Sequence, residues 1–240
     1  MAKEGALTPA EDSWFELPAD EFLRRWYGDY YNRVTYSGVA GRIQRWMHRS
    51  IERGYTQGTR FDDVLEVGGN RGEHLPFVRH QFSSYILSDI HTPDADLPDL
   101  QPEGVNFQVV DVQSMPFPDE TFDRVLNTCV LHHVPEPEAA LTEIRRVLRP
   151  GGTADIFVSA DPGLLFRVGR WAGPKRDSTR MGLKKVKSLV DARDHRTHVG
   201  SLCRLIEHVF REDQMERRSY PLGLPGWNGS LWLTYRVKRH

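Results

Sequence analysis

An acid two residues before a cluster of glycines, at the end of a short apolar run, can hold a charged ligand against the backbone. The stretch Glu66-Val67-Gly68-Gly69-Asn70-Arg71-Gly72 has that form, and it follows Val64 and Leu65. Glycines there let the chain pass close to a ligand and adopt positive φ. Two further acids close apolar runs: Asp89 after Tyr85-Ile86-Leu87-Ser88, and Asp111 after residues 105–110. A carboxylate ending the second strand of an α/β protein can accept hydrogen bonds from both hydroxyls of a ribose. One after the third strand can meet an adenine amino group as an acceptor. Singly, each acid reads as an ordinary strand end or helix cap. Three of them on three successive strands, around one glycine turn, describe a nucleoside pocket.

The identity of the nucleoside follows from what the turn lacks. Counting from Gly68, the dinucleotide fingerprint G-x-G-x-x-G fails, because Asn70 and Glu73 occupy its other glycine positions. No G-K-[ST] is present, so a P-loop is excluded. Glu66 would repel a pyrophosphate, but it would attract the ammonium and sulfonium of S-adenosylmethionine. Candidate general bases are His132 and His133, just beyond the fourth apolar run. A second pair, His195 and His198, stands near Asp191 and Asp194 and could ligate a metal in principle. A solvated polar turn accounts for that pair, and no metal is expected.

Residues 64–67, 85–89, 105–110, 122–128 and 154–159 read as strands, with Leu141, Ile144 and Leu148 marking a helix stopped by Pro150-Gly151-Gly152. Residues 74–81 are compatible with a helix after the glycine turn. Strands alternating with helices predict an α/β fold, a parallel sheet with helices on both faces. Ile43, Trp46, Met47 and Ile51 predict an amino-terminal cap helix. Residues 202–210 predict a later helix, and residues 215–220 and 231–237 an antiparallel hairpin. The expected organisation is an arm and helical cap over residues 1–55, then one domain over 56–240 with a basic insertion at about 162–198.

The chain has 240 residues and a net charge of −1, so a basic field aimed at nucleic acid is absent. No apolar run is long enough to cross a membrane. Residues 1–20 are acidic and lack the apolar core of a signal peptide. Cys129 and Cys203, far apart and outside any C-x-x-C, fit a reducing cytoplasm.

Three stretches resemble the class I S-adenosylmethionine-dependent methyltransferase family, in particular its small-molecule branch. They are VLEVGGNRGEHLPFV from Val64, VVDVQSMPFPDETFDRVLNTCVLHHV from Val109, and LTEIRRVLRPGG over residues 141–152. With Asp89, the likeness covers roughly residues 60–160. It implies a Rossmann-like sheet of seven strands, mostly parallel, with S-adenosylmethionine as cofactor and S-adenosylhomocysteine as product. It implies that Glu66, Gly68, Gly69, Asn70 and Gly72 surround the methionine part. Asp89 and Ile90 would hold the ribose, Asp111 and Val112 would line the adenine, and Asn127 and Thr128 would face the methionyl end. Asn70 departs from the family's usual glycine. Asparagine tolerates left-handed φ, so the turn can survive, with the side chain touching the cofactor or narrowing the pocket.

The variable segments are expected to choose the acceptor. The amino-terminal part holds Trp26, Tyr27, Tyr30, Tyr31 and Tyr36, and Tyr27, Tyr31 and Tyr36 are candidate pocket walls, with Trp227 from the final hairpin loop. Residues 166–187 carry Arg167, Arg170, Lys175, Arg176, Arg180, Lys184, Lys185 and Lys187 against Asp177 alone. A solvated basic helix is the ordinary reading. A lid that receives an anionic acceptor is the sharper one, with Arg167 as its candidate contact, and weak contact with a membrane surface is compatible with it. The expected function is methyl transfer to O, N or C of a small molecule: an anionic natural product, a sugar or a lipid-linked metabolite. The alternatives are the same cofactor fold catalysing a different reaction, and a nucleic-acid methyltransferase. The Asn/Asp-Pro-Pro-aromatic motif of base-amino methyltransferases is absent, since the fourth strand ends in Asn127-Thr128-Cys129-Val130. The oligomeric state is left open.

Overall fold

A computed structural model describes residues 12–27, 38–92, 102–172 and 182–240. The β-branched and aromatic runs form seven strands: β1 Asp63–Val67, β2 Ser84–Asp89, β3 Val105–Val109, β4 Phe122–Asn127, β5 Leu148–Ser159, β6 Gln214–Pro221 and β7 Ser230–Lys238. They make one sheet in the order β3-β2-β1-β4-β5-β7-β6. Neighbours from β3 across to β5 pair in parallel, and β7 pairs antiparallel with both β5 and β6. This is the Rossmann-like sheet with a carboxyl-terminal hairpin that the strand pattern predicts. The order reverses at β1, which puts the mouth of the sheet beside the 68–72 turn.

The helices among the described residues are α1 Asp12–Phe15, α2 Ala19–Arg25, α3 Gly38–Ile51, α4 Pro137–Val147, α5 Leu164–Ala172, α6 Lys184–Asp194 and α7 Val199–Val209. None is long and apolar enough to cross a membrane. The chain divides into two compact units. One is Met1–Arg45 with Arg167–His195, the other Trp46–Phe166 with Arg196–His240.

In the larger unit, one sheet face packs Val125, Ile156, Val158 and Leu233 against Leu141 and Ile144 of α4 and Leu202 and Ile206 of α7. Each such aliphatic side chain contributes roughly 1.5–3 kcal/mol on burial. The opposite face holds Val64, Tyr85, Leu87 and Leu126. It also carries a chain of buried charge. Arg124 donates from Nε to Asp155 (2.8 Å) and pairs with Glu52 (2.7 Å). Glu52 also binds His74 (3.0 Å), which meets His48 (3.0 Å). Tyr55 and Arg236 complete the shell of Asp155, each at 2.7 Å. Burial and the charge of His74 lower the His48 pKa to about 3, so its imidazole is neutral near pH 7.

In the smaller unit, Trp14, Phe22 and Trp26 pack with Leu183, Val186 and Val190 of α6. Part of the basic segment is thus structural. Lys187 is ion-paired with Asp191, and Arg193 lies 5.0 Å from the Phe22 ring. Lys175, Arg176, Asp177 and Arg180 lie outside the described residues, as do Tyr30, Tyr31 and Tyr36.

Two local expectations differ from the structure. Residues 74–81 form only the 3-10 turn Leu75–Phe77. The donors a helix would use are taken elsewhere: the Arg79 amide donates to Glu52 (3.0 Å), and the Gln81 amide to the Thr59 carbonyl (2.9 Å). A parallel bridge between Arg60 and Gln81 fixes the extended path. At the other end, α4 stops at Val147 and Leu148 already belongs to β5. Pro150 disfavours helical backbone in Arg149, and Gly151 takes φ +77°.

Candidate functional site

The site grows from the turn between β1 and β2. Gly68 and Gly72 have φ +69° and +79°, and Asn70 has φ +44°, so the asparagine occupies the left-handed conformation that its type tolerates. Its amide side chain is turned onto Glu73 (2.8 Å), and its backbone N–H donates to Asp89 (3.1 Å). The turn is tied down further by the Gly69 amide on the Ser88 carbonyl (2.9 Å) and the Gly72 amide on the Gly69 carbonyl (2.7 Å). No side chain fits at its bends. A Cβ on Gly68 would stand 1.6 Å from Cγ2 of Val130, and one on Gly69 would stand 2.1 Å from Cδ1 of Leu87.

Beneath Gly69 lies Glu66, fully buried. The hydroxyls of Tyr85 (2.5 Å) and Thr128 (3.3 Å) donate to its two oxygens. Burial pushes its carboxyl up, and the neighbouring His74 and those hydroxyls oppose the rise. The carboxyl thus ties β1 to β2 and to the end of β4, directly under the turn. Sequence reading missed Tyr85 as its partner. The clue was available in strand alternation, since Val64 pairs with Tyr85 in the register that puts both, with Glu66, on one face.

Asp89 is half-buried and accepts from the Asn70 amide on one oxygen and from the His91 amide (3.4 Å) on the other, which leaves a lone pair on each for two hydroxyls. Ile90 beside it is exposed. Asp111 is exposed, accepts from the Gln113 amide (2.9 Å), and precedes the buried Val112. Asn127 ends β4 opposite Val67 in the register. Both of its amide atoms are buried, and neither has a hydrogen-bond partner among the described residues.

His132 and His133 follow β4 with ring centroids 4.5 Å apart. His132 is buried with Nε2 3.4 Å from Sγ of Cys129, and His133 is half-buried. Cys129 has φ +72°, an uncommon conformation for a non-glycine residue, which turns the chain sharply at the strand end. Trp227 packs its backbone and ring against Gly163, where an added Cβ would meet the Trp227 carbonyl at 2.7 Å. Tyr27 and Arg167 are exposed residues of the smaller unit. Tyr31 and Tyr36 fall outside the described residues.

These features suit S-adenosylmethionine. At Gly68 and Gly69 any Cβ would collide with Val130 or Leu87, so only glycine lets the backbone of the turn lie this close to the sheet and present itself to a ligand. The orphaned Asn127 amide offers a donor and an acceptor beside the turn. A buried amide without partners costs about 1–3 kcal/mol, which a polar ligand would offset.

Residues 65–156 match the family model described as a methyltransferase domain. The chain is 33% identical over 112 residues to the fatty-acid O-methyltransferase of Mycolicibacterium smegmatis, covering 45% of this chain and 40% of that protein. It is 35% identical over 114 residues to the phosphatidylethanolamine N-methyltransferase of Cereibacter sphaeroides, covering 44% and 55%. The matched parts thus span about half the length of these relatives or less. The solved N-methyltransferase NodS from Bradyrhizobium japonicum superposes with TM-score 0.55 at 14% identity, over 82% of this chain and 97% of that one, a likeness of fold. With the sheet order, the glycine turn and the matched segment in agreement, residues 65–156 form a methyltransferase domain of the class I S-adenosylmethionine-dependent kind, whose cofactor is S-adenosylmethionine.

Proposed function

We propose that this chain transfers the methyl group of S-adenosylmethionine to a small-molecule acceptor that is anionic or joined to a lipid. The observation that carries the reading is the left-handed turn at Gly68, Asn70 and Gly72, docked on Asp89 by a backbone hydrogen bond. Bound there, the cofactor supplies an electrophilic methyl on a sulfonium. In this reading Gly68, Gly69, Asn70 and Gly72 bring the backbone against its methionine part, and Glu66 adds negative charge from beneath. Asp89 and Ile90 take the ribose, Asp111 and Val112 the adenine. Asn127 and Thr128 orient the methionyl end. Aligning the acceptor about 3 Å from the methyl can itself supply several kcal/mol of the barrier. A hydroxyl acceptor must lose a proton, and His132 or His133 is the candidate base; a neutral amine needs none.

The acceptor class is supported by the relatives, named for a fatty acid and for phosphatidylethanolamine, and by the basic character of residues 166–187. Arg167 is the residue proposed to meet its charge. The two free cysteines suit a cytoplasmic setting.

The test is turnover with a panel of long-chain carboxylates and phospholipid head groups against neutral compounds of the same length. The expected result is S-adenosylhomocysteine formed in equal amount with a methylated product, for the anionic or lipid-linked members. An acceptor consumed without S-adenosylhomocysteine would instead assign the fold to a reaction other than methyl transfer.

A further inference from the structure

The β6 edge of the sheet carries a groove that the methyl-transfer reading does not use. In sheet order β6 is four strands from β1, roughly 19 Å away at the usual strand spacing. The groove has a volume of about 610 Å³ and is lined by Arg53, Arg218, Tyr220, Leu222 and Leu224 among others. A smaller cavity of about 250 Å³ adjoins it, with Asp155, Glu216 and Arg236 among its lining residues. Arg53 and Arg218 line both, so they stand where the two meet.

The two ends of the groove differ in chemistry. At the junction, Arg53 forms no ion pair among the described residues, and Arg218 contacts Glu216 on its own strand. Tyr220 is held between aromatic partners, stacked on Trp232 (centroids 5.3 Å apart) and edge-on to Trp46 (6.4 Å). Its ring is buried, and its hydroxyl has no hydrogen-bond partner among the described residues. Further out, Leu222 and Leu224 are 63% and 49% exposed on the loop that follows β6. Guarding a sheet edge explains charged residues there. Arg217 fits that role, with its guanidinium 5.9 Å from the Tyr235 ring and 3.8 Å from Glu207. Guarding does not explain two exposed leucines beside a cationic junction.

We propose that this groove binds an anionic amphiphile, with its carboxylate or phosphate head between Arg53 and Arg218 and its alkyl chain along Leu222 and Leu224. The Tyr220 hydroxyl donates to the head. Charge complementarity at one end and exposed aliphatic surface at the other select this occupant over a plain anion or a neutral lipid.

Binding of dodecanoate below its micelle threshold to the full chain, followed by calorimetry, tests this. The variants are the double Arg53→Gln/Arg218→Gln and Leu222→Asp, all at exposed positions, with unchanged far-ultraviolet dichroism as the folding control. Dodecanoate is expected to bind the parent chain, to weaken at least about tenfold in the double arginine variant, and to be lost in Leu222→Asp. Dodecanol should be indifferent to the arginine changes. Dodecyl phosphate replaces dodecanoate in a second arm, and tighter binding of either one supports the site and identifies the head. Dodecanoate that fails to bind, or binds equally to all variants, overturns the proposal. Inorganic phosphate binding as well as dodecyl phosphate does the same. The readout is probe binding, so it stands whether or not methyl transfer is found. S-adenosylmethionine affinity, measured in the same variants, should stay at the parent value.

Discussion

Gly68→Ala is expected to collapse cofactor binding and to destabilise the fold by about 2–5 kcal/mol. Two effects combine. Alanine in the left-handed region costs roughly 1–2 kcal/mol. Its Cβ would also stand 1.6 Å from Cγ2 of Val130, and relieving such overpacking costs typically 1–3 kcal/mol more. The turn must move, and a displacement of about 1 Å can lower turnover about a hundredfold. A double-mutant cycle with Val130→Ala separates the two effects, because it removes the overlap but not the φ strain. Denaturant melts and ligand titrations of the four proteins read both. A Gly68→Ala protein with parental affinity and stability would show that the turn is not the cradle.

Arg124→Ala should destabilise the larger unit by about 3–5 kcal/mol at neutral pH, the usual cost of removing one partner from a buried ion pair. Arg124 is wholly buried and joins Glu52 to Asp155, with the Tyr55 ring 4.5 Å from its guanidinium. Burial alone would push the Glu52 carboxyl up, but Arg124 and His74 together hold it far below its ordinary value. A carboxyl depressed in the folded state stabilises above its unfolded pKa, and that stability is lost as pH falls toward the folded value. Without Arg124, Glu52 is free to protonate, so the deficit of the variant should narrow as pH drops below about 4.5. Denaturant melts at pH 7 and pH 4 measure this. A variant with parental stability at pH 7, or a deficit that widens in acid, contradicts the role given to the network.

The sheet and the turn were legible because their signals are local. Glu66, Asp89 and Asp111 each stand at the end of an apolar run, and the glycines cluster within five residues. Asn70 was readable too, since its tolerance of left-handed φ is a property of the residue itself. The buried charge chain was not legible. Glu52, Arg124 and Asp155 are separated by 72 and 31 positions, and an arginine inside a strand reads as solvent-facing until its partners are known. Residues 74–81 misled for a related reason, because a distant glutamate and the Thr59 carbonyl claim the donors that a helix would use. Trp46, at helical spacing with Met47 and Ile51, reads as core. It is 42% exposed and packs edge-on to Trp232 at 5.0 Å. In residues 166–187, charge reads as a solvated basic helix or a lid, while Val186 joins α1 and α2 in an apolar cluster that charge could not reveal.

The most direct measurement is calorimetric titration of S-adenosylmethionine and S-adenosylhomocysteine into the full chain and into Asp89→Ala. The account predicts micromolar binding of both ligands to the parent chain, lost in the variant because the ribose loses its carboxylate and the Asn70 amide its anchor. Folded parent protein that binds neither ligand, or an Asp89→Ala variant that binds them unchanged, would contradict it.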